Sequence, residues 1–121
     1  MTKDQPMVNI NGLAHVILTV TQYTKSRSFY TRLLPAFGMT LVHDGPDFCY
    51  HVGGRTAIGI RKCDPEFQDE QFQQYRVGLH HLCFRARSRE DVDTAAKVAA
   101  GLGAKVVRGP EVREWAPGYY Y

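Results

Sequence analysis

The chain has 121 residues, 15 Lys and Arg against 12 Asp and Glu for a formal charge of +3, and 44% hydrophobic and 12% aromatic residues. That length suits one domain with a real apolar core, and the composition excludes collagen-like, coiled-coil and low-complexity architectures. The ten arginines are spread from Arg27 to Arg113, so there is no phosphate-binding stripe and nucleic acid is not an expected partner. No 18 apolar residues run together and the first twelve contain no apolar signal core, which predicts a cytoplasmic protein with no membrane partner. Cys49, Cys63 and Cys83, spaced by 14 and 20, fit neither a disulfide framework nor a C-x-x-C pair and are expected to be small buried hydrophobes.

The chain contains one phrase twice. Residues 12–20, Gly-Leu-Ala-His-Val-Ile-Leu-Thr-Val, are echoed 66 positions later by residues 78–86, Gly-Leu-His-His-Leu-Cys-Phe-Arg-Ala. Each phrase is rich in β-branched or aromatic residues and opens on glycine, the pattern of a strand, and each precedes a helical pattern. After the first, Phe29, Leu33 and Phe37, with Tyr30 and Leu34 beside them, predict a helix over 24–37 whose last turn Pro35 weakens. Strands follow at 39–44 and 48–52, then a Gly53-Gly54 turn and a strand at 55–61. Residues 64–76 are polar and Gln-rich and read as a connector. After the second phrase, Ser88 to Asp91 resembles a capping box, Val92, Ala95, Ala99 and Leu102 keep helical spacing, and Gly103 is a stop signal.

Strand alternation assigns faces. Val16, Leu18 and Val20 point to the first helix and His15, Ile17 and Thr19 point away; Leu82, Phe84 and Ala86 likewise oppose His81, Cys83 and Arg85. In the strand at 55–61, Ile58 and Ile60 take the helix side and leave Ala57, Gly59 and Arg61 with the histidines. His80 falls on the helix side and reads as structural. His43 and His51 lie on middle strands whose facing the pattern does not decide, and a solvated or hydrogen-bonded structural role is expected for each.

The doubled unit, the G-L-x-H opening of each half, Ser28-Phe29-Tyr30 with Leu33-Leu34, and the late Trp115-Ala116-Pro117-Gly118-Tyr119-Tyr120 resemble the vicinal oxygen chelate superfamily, which includes glyoxalase I, extradiol dioxygenases and bleomycin-resistance proteins. The resemblance implies an α+β fold of two tandem βαβββ modules curling a mixed sheet around a cavity. Module one spans about 12–61, the connector 62–77 and module two 78–121, within a single domain over 1–121. Module two is expected to be incomplete at its C-terminal end, its last strand lying beyond Tyr121 or donated by a partner chain.

The resemblance also implies a site. His15 and His81 match the family's paired histidine ligands, and a carboxylate third ligand is expected beyond Tyr121; the catalytic residues are not assigned. Two neutral imidazoles and one carboxylate leave open positions on a divalent metal, Fe2+, Mn2+, Ni2+ or Zn2+, which hold two adjacent oxygens of a substrate. Gly59 stands where module one would carry its own carboxylate, which disfavours glyoxalase I itself. Arg61, Arg85 and Tyr50 are the candidate substrate-binding residues, with Tyr119 a further hydroxyl donor. Glu111 and Glu114 are expected to be exposed. The leading expectation is therefore a metal-dependent enzyme of dioxygenase, lyase or isomerase type, acting on a small oxygen-rich molecule and assembled as a homodimer. A metal-free binding protein of the bleomycin-resistance kind, or an accessory protein that keeps the fold as a dimerisation module, are the alternatives.

Overall fold

The computed structural model describes residues 5–112 and 119–121; Glu114 and the 115–118 stretch of the late motif lie outside them. The elements run β1 (Val16–Val20), α1 (Tyr23–Ala36), β2 (Thr40–Asp44), β3 (Phe48–Gly53), β4 (Thr56–Lys62), a short 3-10 turn (Pro65–Phe67) and α2 (Arg89–Gly101). The fold is α+β, with a complete βαβββ first module and a partial second one. One open mixed sheet has the order β1-β4-β3-β2, with β1 parallel to β4 and the other pairs antiparallel.

Burial of one face of β4 sets the arrangement. Ile58 and Ile60 are 2% and 0% exposed, and with Tyr23, Leu34, Met39 and Cys49 they form the core under α1. Val16, Leu18 and Val20 pack on it, as the alternation requires. Removing each isoleucine side chain from water contributes roughly 1.5–3 kcal/mol. Tyr23 adds a polar anchor: its hydroxyl donates to the Gly45 carbonyl at 2.9 Å, and burial, with the adjacent Cys49 thiol, pushes its pKa up to about 12.

Both helices end in the same way. In α1 the Gly38 amide donates to the Pro35 carbonyl and the Met39 amide to Leu34; in α2 the Gly103 amide donates to Ala100 and that of Ala104 to Ala99. These are paired Schellman closures, and Gly38 and Gly103 adopt the left-handed φ of +82° and +95° that the motif needs. Pro35 lies in the last turn of α1, where its ring nitrogen cannot donate the helical hydrogen bond. At the start of α2, the Ser88 side chain accepts from the Asp91 amide at 3.0 Å, the N-cap read from the sequence.

The turn and one strand differ from expectation in detail. Gly53 pairs with Thr56, so the two-residue turn is Gly54-Arg55, both at positive φ of 60° and 62°, a type I′ geometry that matches strand twist. In β2 the register slips between Leu41 and His43. Leu41 stands opposite His51 on the helix side, but beyond this bulge His43 stands opposite Tyr50 on the far side and Asp44 opposite Cys49. Asp44 is thereby turned toward α1, where Arg27 grips it with two hydrogen bonds, Nε to Oδ1 at 2.6 Å and Nη2 to Oδ2. The guanidinium holds the Asp44 carboxyl below the usual carboxylate range.

The second module departs further. Residues 78–86 form no strand, and all four strands of the sheet come from module one. The apolar alternation survives: Leu82 packs against the first-module core and the Phe84 ring lies 5.8 Å from that of Phe37. A strand also needs a hydrogen-bonding neighbour, and among the described residues after α2 only an isolated antiparallel bridge, Val112 to Tyr120, is formed. Tyr120 is held there by its hydroxyl, which donates to Asp93 on α2 at 2.5 Å. Cys49 and Cys63 are buried as expected, and Cys83 is exposed.

His51 contradicts its expected role. It is neither solvated nor hydrogen-bonded: it is 0% exposed between Leu41 and Ile58, and neither ring nitrogen has a partner. Burial holds its pKa below the ordinary histidine range. The unfolded chain therefore takes up the proton first, so the stability that depends on neutral His51 is complete above the unfolded pKa of about 6.5 and drains as pH falls from there toward the lower folded value. Asp44, also depressed, loses its contribution only at more acidic pH. Urea titrations from pH 8 to 5 should show the midpoint falling below about pH 6.5, and His51→Leu should flatten that slope.

Candidate functional site

The side of the sheet opposite α1 is a grid whose rows the registers define. Thr19, Arg61 and Phe48 form one row and Ile17, Gly59 and Tyr50 the next. Ala57 and Val52 pair in a third row, and His15, one residue ahead of β1, is in phase with Ile17 and Thr19. His43 extends the face at its β2 edge. The rings of His43 and Phe48, and of Phe48 and Tyr50, are each 5.8 Å apart, a continuous aromatic strip. A groove of about 560 Å³ opens beside it, lined by Ile17, Phe48, Arg61 and Lys62 together with Asp47 and Asp64.

Gly59 is at the centre of this grid, and the space above it is taken. A Cβ there would lie 2.9 Å from Phe48 Cε1 and 3.1 Å from Ile17 Cγ1. The position where the resemblance implies a first-module carboxylate is covered by the edge of a phenyl ring. Arg61, directly across from Phe48, is more than half exposed and only loosely paired, with Nη2 3.9 Å from Asp64 Oδ1. At that separation the ion pair leaves the guanidinium's hydrogen-bonding fork open.

The structure brings some of the expected residues together and not others. Tyr50 and Arg61 share the open face, with His15 at its margin. Arg85 and His81 lie in the irregular 78–86 segment, both exposed. His81 Nδ1 is 2.7 Å from His80 Nδ1, which is also 3.2 Å from Gln74 Nε2, so one histidine nitrogen donates to the other and His80 is an exposed polar contact rather than a core residue. Tyr119 is partly exposed beside Cys83, and that neighbour, with burial, raises its pKa. Glu111 is exposed, as expected. Among the described residues no three of His, Cys, Asp and Glu gather into a metal-holding group.

Sequence reasoning missed the role of Phe48. Its signal was present in the register: a hairpin closed by Gly54-Arg55 necessarily sets residue 48 against residue 61.

The fold and this open face have counterparts. The model of the Glyoxalase/Bleomycin resistance protein/Dioxygenase superfamily matches residues 12–121. The chain belongs to that superfamily. Among solved structures, a Bacillus halodurans protein assigned to the glyoxalases is 28% identical with a TM-score of 0.72, over 80% of this chain and 73% of its own. An integron cassette protein of Vibrio cholerae is also 28% identical, with a TM-score of 0.59, over 93% and 83%. A superfamily enzyme of Burkholderia phytofirmans shares the fold at 20% identity and a TM-score of 0.62, over 84% and 81%. No curated protein matches the chain. Members of that superfamily generally use a divalent metal.

Gly59→Glu should not simply restore a ligand. The new side chain must evict Phe48, so the substitution should cost about 1–3 kcal/mol by overpacking. In a double-mutant cycle with Phe48→Ala, urea titration should find that cost substantially relieved.

Proposed function

We propose that this chain is a divalent-metal-dependent enzyme of the glyoxalase/dioxygenase type acting on a small oxygen-rich molecule. His15 and His81 serve as the two imidazole ligands, and a carboxylate outside the described residues is the third. The observation that carries the reading is the sharing of one open face by Tyr50 and Arg61 with His15 at its edge, on the only sheet among the described residues. The metal, when bound, supplies positions for two adjacent substrate oxygens and polarises them. The chain's own residues do the rest: the Arg61 guanidinium takes an anionic oxygen in bidentate fashion, the Tyr50 hydroxyl donates to a second, and Ile17 and Phe48 keep water from the apolar side. A homodimer is part of this reading.

A specific observation favours a second reading. Phe48 over Gly59 makes the centre of the face an apolar floor rather than a ligand position, which suits a metal-free small-molecule binding protein of the bleomycin-resistance kind.

Metal analysis of the purified protein, with His15→Ala and His81→Ala beside it, separates the two. The enzyme reading expects one divalent ion per site. Saturation with Fe2+, Mn2+, Ni2+ or Zn2+ at about 100 times Kd adds about 2.7 kcal/mol of stability, a rise in Tm on the order of 10 °C for a domain of this size. Both alanine variants should lose it. Absence of metal and of any Tm response gives the function to the binding reading.

A further inference from the structure

We propose that the open face of module one binds an aromatic carboxylate, with the ring lying on the Phe48–Tyr50 strip above Gly59 and the carboxylate in the fork of Arg61. The proposal deepens the reading of this face as the ligand site and does not depend on a metal. Three features of the grid lead to it. The strip is continuous, two ring-to-ring steps of 5.8 Å across His43, Phe48 and Tyr50 with successive rings tilted by 38° and 31°, and rings so spaced offer a planar partner offset or edge contacts. Gly59 lacks a side chain at the centre, and the Phe48 edge and Ile17 fill the space its Cβ would occupy, giving the strip an apolar floor there.

Charge then chooses the sign of the ligand. Of the residues the registers place on this face, Thr19, Arg61, Phe48, Ile17, Gly59, Tyr50, Ala57 and Val52, the single charged one is Arg61. Its weak 3.9 Å contact to an exposed Asp64 is readily exchanged for a bidentate carboxylate, because hydrogen-bonded charge pairs outcompete a separated, solvated one. The groove beside the strip is lined by Lys62, Asp47 and Asp64 as well as Arg61, so its wall carries both signs, and Arg61 is the charge that the registers place in the rows of the strip itself. Arg61 is directly across the strand pair from Phe48, and directly opposed side chains on one face have Cβ atoms about 5 Å apart. A flat cation would meet Arg61 with like charge, so the geometry disfavours the cationic ligands that a bleomycin-resistance reading implies.

The test is titration of the full chain in the presence of EDTA, followed by amide NMR and calorimetry, with benzoate, cyclohexanecarboxylate and benzylamine as probes. Benzoate should move the Ile17, Gly59 and Arg61 signals saturably, cyclohexanecarboxylate should bind several-fold more weakly, and benzylamine should not compete. Arg61→Gln should weaken benzoate at least tenfold and Phe48→Leu several-fold, with unchanged melting curves showing that both variants are folded. Benzoate shifts confined to other residues, equal binding of benzylamine, or an Arg61→Gln variant that binds as well as the parent overturns the proposal. Metal content is measured separately on protein purified without chelator, so the two readings fail independently: benzoate binding by a protein that carries no metal as purified sinks the metal-enzyme reading and leaves this one standing. A metalloprotein that ignores benzoate would do the reverse.

Discussion

The alternation of β4 between oil and solvent is the constraint on which the molecule depends. Ile58 and Ile60 are buried under α1, and because a strand's side chains alternate, their burial forces Ala57, Gly59 and Arg61 onto the opposite side. A slip of one residue would expose both isoleucines, a loss of several kcal/mol by area alone, and would drive the Arg61 guanidinium into the core. β4 is paired on both sides, with β1 and β3, so its phase is transmitted to both neighbours. The apolar core thus fixes the chemistry of a face it does not touch.

Much of this was legible because it is local or periodic. The βαβββ order of module one, the α1 stripe, the Ser88 cap and the glycine stop of α2 each depend on residues within a few positions of one another. The two-residue turn was read one position early, at Gly53-Gly54 instead of Gly54-Arg55, since a glycine pair is the stronger turn signal and Arg55 at positive φ is not an obvious choice. An error of one in a hairpin turn shifts the pairing by two, which preserves every face and changes every row. Tyr50 stands out in the sequence for its hydroxyl and Arg61 for sharing the face of Gly59, whereas Phe48, the cross-strand partner of Arg61, carries no polar group and is found only through the register. His43 was undecidable for a different reason: a bulge at Val42 inverts the alternation between Leu41 and His43, and nothing in five residues of β2 announces it.

The second module shows where local signals stop. It repeats the strand phrase 66 residues on and the helix-closing glycine 65 residues on, and the glycine closure forms in full because a Schellman motif needs only its own helix. The strand phrase keeps its apolar side, through Leu82 and Phe84, but forms no ladder, since pairing is satisfied only by a neighbour brought from elsewhere in the chain. His15 and His81 occupy equivalent places in the two phrases, yet only His15 adjoins an assembled strand. Equivalence in sequence becomes proximity in space only when both copies find their sheets.

The two sides of β3 meet the cost of polarity in opposite ways. On the α1 side, His51 gives up every hydrogen bond to sit among Leu41 and Ile58, a desolvation cost of about 1–3 kcal/mol that a hydrocarbon of the same size would avoid. On the open side, Phe48 and Tyr50 place apolar rings where a superfamily enzyme would be expected to hold polar ligands, and the face keeps a single charge at Arg61. An imidazole in the core and a phenyl over the position of a carboxylate both run against the preference of their surroundings. A buried polar group without partners is a departure that folding alone does not select, and the half-buried Phe48–Tyr50 run lies on the opposite side of adjoining residues of the same strand. The open side is the one that the ligand proposed above would reach, and its ring would cover what the fold leaves half exposed there.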